Sequence, residues 1–262
     1  MKKYIIPQII KYETIDGLLE SNNSNSKENL SIDKLLHESL VCIVGEPGIG
    51  KSRLIDEIRS RNKTDLYFCA ASDFKLTSIT KDIKYCIIDA LDEVEGSIFY
   101  RTLQSIKQYK KDNPNVKVLF TCRIHYVASY AKHLATFNNI SFIKLCRLRN
   151  EDVMEIVNVC SEITKINVSK SSKLRELLRI PGYLTMFLEF EEQKGECSNI
   201  GQLFNCFVSK SIATAINNRG ERTNTENLKI LIQRVLEKVA FIMEISQKTK
   251  YQKMSYTRFL MR

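Results

Sequence analysis

The chain has 262 residues, 44% hydrophobic and 27% charged, with a formal net charge of +10. That suits one large α/β domain, or such a domain with a small helical one, and it excludes a low-complexity or fibrous chain. No apolar run reaches the roughly 18 residues a bilayer crossing needs, and acids at Glu13 and Asp16 soon interrupt the N-terminus, a poor signal peptide; the expected location is cytoplasmic.

The eight cysteines show no C-x2-C pair, and the closest two are Cys197 and Cys206. Cys122 and His125 form an isolated pair with no second half, so zinc is not expected. Cys42, Cys69, Cys86, Cys122 and Cys146 each fall in or beside an apolar run, as small buried thiols do. The basic excess is spread along the chain. It reads as a Lys-rich solvated surface, with nucleic-acid contact as the alternative.

In chain order, Tyr4-Ile5-Ile6-Pro7-Gln8-Ile9-Ile10 is a short apolar segment, and residues 21–27 are a polar linker without period. A short helix is predicted from Ser31, a good N-cap, through Leu35 and Leu36. Apolar runs then alternate with helical patterns. Strands are predicted at Leu40–Val44, Leu66–Cys69, Tyr85–Asp89, Val116–Thr121 and Ile140–Cys146, and helices at Ser52–Arg61 and over 97–111. The first four strands carry few polar residues, which predicts burial on both faces. The fifth carries Ser141 and Lys144 and is expected nearer an edge. This is the pattern of a parallel five-stranded sheet between helical layers.

The pattern changes near Asn150, read as an N-cap with Glu151 and Asp152 in the first turn. Beyond it only helices are expected, over 171–193 with a break at Pro181-Gly182, over 201–217, and through the periodic Leu228, Leu231, Ile232, Val235, Val239 and Ile242. The expected division is a lead-in segment and linker (1–29), an α/β domain (30–149), a small all-helical lid (150–220) and a further helical segment (221–262).

Gly45-Glu46-Pro47-Gly48-Ile49-Gly50-Lys51-Ser52 fits G-x-x-x-x-G-K-[ST]. It directly follows a predicted strand and opens a predicted helix, the context in which this pattern binds nucleotide phosphates. The glycines let successive N–H groups turn inward, Lys51 reaches the β- and γ-phosphates, and the Ser52 hydroxyl is a magnesium ligand. Arg53, next along, is included among the nucleotide-binding residues. The strand ending at Asp89 delivers a carboxylate to the same sheet edge, as a direct or second-sphere Mg²⁺ ligand requires. Glu93 is the candidate to orient or deprotonate water; Asp92 helps it or holds a neighbouring group. Arg123, closing the next strand, can sense or neutralise the γ-phosphate. ATP and GTP are not distinguished by these residues.

Gly45–Ser52, Asp89-Ala90-Leu91-Asp92-Glu93, Thr121-Cys122-Arg123 and Ile180-Pro181-Gly182-Tyr183-Leu184 together resemble the motif series of STAND NTPases, the NACHT group especially. The resemblance covers roughly residues 1–245. Its acidic motif has the form D-G-x-D-E, so Ala90 departs from it. The resemblance makes Arg123 the strand-end sensor and Pro181 the helical-domain proline near the adenine; Tyr4-Ile5-Ile6-Pro7 is similar to a short segment preceding the domain in bacterial members. It implies a P-loop NTPase three-layer sandwich that binds ATP or ADP with Mg²⁺ and acts as a slow ATPase switch. Such a switch self-associates or engages a partner protein, often in anti-phage defence. It also implies a following winged helix that supplies a histidine. His37, His125 and His133 lie too early for that, and Phe259-Leu260-Met261-Arg262 stands where a winged helix would barely have begun. A fragment, or a module with partners on separate chains, is the expectation. The alternatives are a non-hydrolysing nucleotide-dependent interaction module and an AAA+-like ATPase acting on DNA.

Overall fold

The computed structural model describes residues 7–20, 30–76, 79, 83–94, 96–137 and 139–194, with scattered helical positions between 201 and 235. In chain order it contains β1 (Ile9–Tyr12), α1 (Ile15–Leu19), α2 (Ile32–Leu35), β2 (Leu40–Val44), α3 (Lys51–Arg61), β3 (Leu66–Ala70), β4 (Tyr85–Asp89), α4 (Gly96–Asp112) and β5 (Lys117–Cys122). There follow α5 (Ile124–Ser129), α6 (Ala131–Leu134), β6 (Ser141–Leu145), α7 (Asn150–Val157), α8 (Glu162–Lys170), α9 (Ser172–Leu178) and α10 (Pro181–Lys194).

The strands form one six-stranded sheet in the order β1-β6-β2-β5-β4-β3. Every pairing from β6 to β3 is parallel, and β1 runs antiparallel to β6. Along β2, Cys42 and Val44 join one apolar cluster while Val41 and Ile43 join the other. The period-2 alternation of a strand therefore feeds two cores. Leu35, Ile55 and Ile58 of α2 and α3 fill one face; Phe99, Leu103 and Val127 of α4 and α5 fill the other. This is an α/β sandwich of three layers around a mostly parallel sheet.

The five-stranded expectation is corrected to six. β1 is only four residues long and contains Lys11, so it gives no strand period. It covers the flank of β6, which lies second from that edge, nearer an edge as expected. Ser141 also joins a partly buried polar cluster: its hydroxyl donates to Glu38 Oε2 at 2.7 Å, and Lys11 Nζ meets Glu38 Oε1 at 2.7 Å. The opposite edge is β3, where burial on both faces was expected. Its residues are only half-buried, and the exposed Phe68 ring is covered by the Arg59 guanidinium, 4.0 Å from its centroid.

Ser31 caps α2 as expected, accepting from Lys34 N at 3.2 Å. The cap of α7 is Arg149, one residue before the expected Asn150. Asp152 in the first turn decides this, accepting from Arg149 N at 3.1 Å and from its guanidinium at 2.7 Å. Similarly, the break expected at Pro181-Gly182 falls just before Pro181, which takes the first position of α10 and needs no N–H there. The helices α5 and α6 were not expected. Their Tyr126 and Tyr130 pack on Phe99, with Tyr130 stacked at 4.1 Å.

Two compact units are distinguished, Met1–Leu188 and Glu189–Arg262. In the second, Gly201, Gln202, Phe204, Asn205, Val208, Ser209, Ile212, Ile230, Leu231, Ile232, Arg234 and Val235 are helical. Leu228, Val239, Ile242, Tyr4-Ile5-Ile6 and the linker at 21–27 lie outside the described residues. Among the described residues no helix is long and apolar enough to cross a membrane.

Candidate functional site

The phosphate loop leaves β2 at Val44 and enters α3 at Lys51. Gly48 and Gly50 have φ of 75° and 105°, the left-handed region that glycine enters without a side-chain clash. Ile49 between them is buried and pins the loop to the core beneath. Lys51 folds back across the loop, its ammonium donating to Gly45 O at 3.0 Å and Glu46 O at 3.2 Å. Burial lowers the Lys51 pKa; Asp92 opposes that and Arg123 adds to it. Ser52 and Arg53 follow on the exposed first turn of α3, and Pro47 and Gly48 are also exposed.

β5 lies between the two motif-bearing strands β2 and β4 in space, while β3, which separates them in sequence, lies outside. Parallel register aligns Val44 with Cys122, so the loop and the acidic strand end share one sheet edge. Asp89 Oδ1 accepts from Ala90 N at 3.0 Å and from Thr121 Oγ1 at 2.5 Å, and Thr121 Oγ1 accepts from Ala90 N at 2.7 Å. Asp89 Oδ2 takes part in none of these. Thr121 is thus the residue that orients Asp89, a role sequence reasoning missed; a fully buried hydroxyl inside a strand is the signal.

Ala90 has φ 59° and ψ 46°, a left-handed turn that swings the next three residues into a 3₁₀ turn, Leu91–Glu93. Leu91 plugs into the core, fully buried. Asp92 is buried, with a side chain 3% exposed, and its Oδ2 meets Arg123 Nε at 2.7 Å. Its other oxygen, Oδ1, is buried and has no hydrogen-bond partner among the described residues. Glu93 stands outward, 68% exposed and 4.0 Å from the Arg123 guanidinium. The three acids therefore differ: one tied to a strand, one holding Arg123, one facing water.

The opposite flank of the loop is gripped by the chain after β6. Arg147 donates to both carboxylate oxygens of Glu46, at 2.8 Å in the shortest contact, and to Glu176 of α9 at 2.6 Å. Glu176 also accepts from Arg179 at 2.9 Å, and Arg179 exchanges hydrogen bonds with Leu148, Nε to O at 2.7 Å and Leu148 N to Arg179 O at 2.8 Å. At the start of α10, Gly182 N donates to Gly48 O at 2.8 Å. A Cβ at Gly182 would lie 2.9 Å from that oxygen, so only glycine allows the approach. Pro181 is thereby brought beside the phosphate loop. Pro7 is buried, its Cγ 4.0 Å from where a Gly50 Cβ would stand. Arg147 and Glu176 carry no motif and had no expected role, while Gly182 was expected only as part of the helix break and of the Ile180–Leu184 run.

The donors fit a magnesium–nucleotide ligand. The site offers a hydroxyl on the first turn of α3 and a carboxylate with one uncommitted oxygen on the adjoining strand end. Hard oxygen donors of this kind suit Mg²⁺. Burial pushes the Cys86 and Cys122 thiols of the strands up to about 12 and raises Cys42 too, which keeps them as neutral thiols.

No protein-family model matches the sequence, and no curated protein does. Among solved structures the chain is similar to the Holliday junction branch migration motor RuvB of Thermotoga maritima, at 14% identity over 78% of each chain with a TM-score of 0.42. It is similar to the replication initiator DnaA bound to AMPPCP and single-stranded DNA, at 10% identity over 79% of this chain and 73% of that one, TM-score 0.44. It is also similar to the S. cerevisiae Hsp104–ADP complex, at 12% identity over 91% of this chain and 41% of that one, TM-score 0.41. Likenesses this faint carry no function. The fold is that of a P-loop NTPase, by the chain's own loop, sheet order and strand-end acid.

Proposed function

We propose that this chain is an ATP-binding, slowly ATP-hydrolysing switch of the STAND type, in which residues 150–220 act as a lid on the nucleotide. The observation that carries this reading is the backbone hydrogen bond from Gly182 N to Gly48 O, 2.8 Å. It joins the start of α10 to the loop that would hold the phosphates, which supports a link between loop occupancy and the position of that helix start.

The roles follow from the placements above. Backbone N–H groups of residues 48–52 cradle phosphate, and Lys51 leaves its two carbonyls to meet the β- and γ-phosphates. Ser52 and Asp89 would hold Mg²⁺, which supplies charge neutralisation to the phosphate oxygens. Glu93, at the water-facing end of the acidic turn, accepts the proton of the attacking water as the bond from the γ-phosphorus to the bridging oxygen breaks, yielding ADP and phosphate. Arg123 exchanges Asp92 for the γ-phosphate and stabilises the charge spread there. Pro181 faces the base, and Arg53 lies beside the phosphates. Anti-phage defence is the setting that the STAND resemblance suggests.

The test is steady-state phosphate release with Glu93→Gln. Loss of turnover with nucleotide binding retained supports a hydrolysing switch. Negligible turnover in the unaltered chain, unchanged by the substitution, moves the reading to a nucleotide-dependent interaction module. The +10 charge favours a second reading, an ATPase acting on DNA, which predicts salt-sensitive DNA binding and is overturned if none occurs at low salt.

A further inference from the structure

Arg147 lies outside the loop, the acidic turn and the strand-end arginine, yet its planar fork spans two elements. Nε and one terminal nitrogen face Glu46, the second residue of the phosphate loop; the other terminal nitrogen faces Glu176 on α9. Glu46 cannot bind phosphate through a carboxylate, and like charge would oppose any anion nearby. Here that carboxylate is drawn off toward Arg147. Pairing with Glu46 first, and then with Glu176, raises the Arg147 pKa. A planar five-donor group meets one carboxylate through two nitrogens and a second through the third, a fork geometry that a lysine ammonium does not reproduce.

From this geometry we infer that Arg147 is a positioning residue, a charge latch that fastens α9 and α10 to the phosphate loop through Glu46 and Glu176 and slows nucleotide release. The inference rests on the nucleotide-switch reading for its second half only. The fastening itself needs no nucleotide. The latch works with the Gly182–Gly48 hydrogen bond: the ion pairs hold α9, and α9 leads through Arg179 and Ile180 into the residues that touch Gly48.

The experiment combines two readouts on the full chain. Hydrogen–deuterium exchange is followed in residues 172–185 without nucleotide, and the dissociation rate of a fluorescent N-methylanthraniloyl-ADP is measured by chase with unlabelled ADP. Arg147→Ala is expected to speed exchange in 172–185 while leaving β2, β4 and β5 protected, and to raise the dissociation rate about tenfold, the size of a charge-assisted network lost. Glu176→Gln, which leaves the loop intact, is expected to act in the same direction but less. The double variant should fall clearly short of the sum of the two single effects, since the Arg147–Glu176 contact is lost in both and only the Arg179 contact of Glu176 is separate. Arg147→Lys should restore only part. Unchanged exchange in 172–185 overturns the latch, as do additive effects of the two substitutions. Should Arg147→Ala loosen the whole sheet, Glu176→Gln decides by the same readouts. Should the unaltered chain bind no labelled ADP, the switch reading falls while exchange still decides the latch.

Discussion

On the β5 side of the phosphate loop, charged groups are held close but not used up. Asp89 keeps one oxygen clear of its hydrogen bonds, Asp92 keeps a buried oxygen without a partner among the described residues, and Glu93 faces water. On the β6 side the charges are spent on one another: both oxygens of Glu46, both of Glu176 and the full fork of Arg147 are engaged. A buried carboxylate oxygen without a partner is costly. It persists where the fold holds it in place for something else to meet. Engaged ion pairs at a half-exposed surface fix geometry and offer little further chemistry. In the proposed switch the first flank would supply the reacting groups and the second would hold the loop.

The largest expected effect breaks the reactive side at its centre. Lys51→Ala removes the only loop side chain that donates across the loop onto the Gly45 and Glu46 carbonyls. Charge-assisted hydrogen bonds are worth about 1.5–3 kcal/mol, so nucleotide affinity should fall on the order of 10–100-fold. Titration with a fluorescent ATP analogue checks it, and an unchanged affinity would remove the loop from the site. Next comes Gly182→Ala, on the holding side. The added methyl meets backbone, 2.9 Å from Gly48 O and 3.1 Å from Gly48 Cα. Overpacking of this kind costs about 1–3 kcal/mol, against which alanine returns at most about 1 kcal/mol of helix propensity. A lower melting temperature with faster exchange in α10 is expected; a rise in melting temperature would show that the contact yields freely.

The placement of the proposed reacting residues on one sheet edge was legible from the chain alone, and the contacts of the holding side were not. Gly45–Ser52, Asp89 and Arg123 stand at fixed offsets from apolar runs, so local pattern places them on one sheet edge. The roles of Thr121, Arg147 and Glu176 depend on which strands become neighbours. β5 enters between β2 and β4 in space although it follows both in sequence, and only that order sets Thr121 against Asp89. Glu46 and Arg147 are 101 residues apart, a separation that no local period reports. β1 was missed for a similar reason: four residues that pair with β6 are a strand by their partner and not by their own pattern.

A smaller effect follows from Ala90, where the reactive side strains its backbone. An L-residue in the left-handed region costs about 1–2 kcal/mol, and at φ 59° Ala90 is in it. Glycine carries its own entropic penalty of about 0.5–1 kcal/mol. Ala90→Gly should therefore stabilise the fold by about 0.5–1 kcal/mol, raising the melting temperature by about 1–4 °C for a chain of this size. An unchanged or lower melting temperature would mean that the alanine methyl contributes packing that the strain conceals.

The smallest effect tests the holding side by pH. Glu176 sits below its ordinary 4.5 because Arg179 donates to it; burial opposes that, and the contact with Arg147 adds to the lowering. In the opened chain Glu176 titrates near the ordinary value. A carboxylate lowered in the closed form binds fewer protons there, so its contribution is fully present above pH 4.5 and is lost as pH falls through the lowered value. Exchange in residues 172–185 should thus be flat through neutral pH, after correction for intrinsic rates, and rise only below 4.5. The rise is small because Glu176 is 50% exposed and water screens the pair. Glu176→Gln should remove it and leave exchange uniformly faster. A rise that survives that substitution would assign acid sensitivity to the Glu38–Lys11 cluster, whose Glu38 is also held low, chiefly by Lys11 against the opposing pull of burial, and would leave Glu176 a bystander to the grip of Arg147 on Glu46.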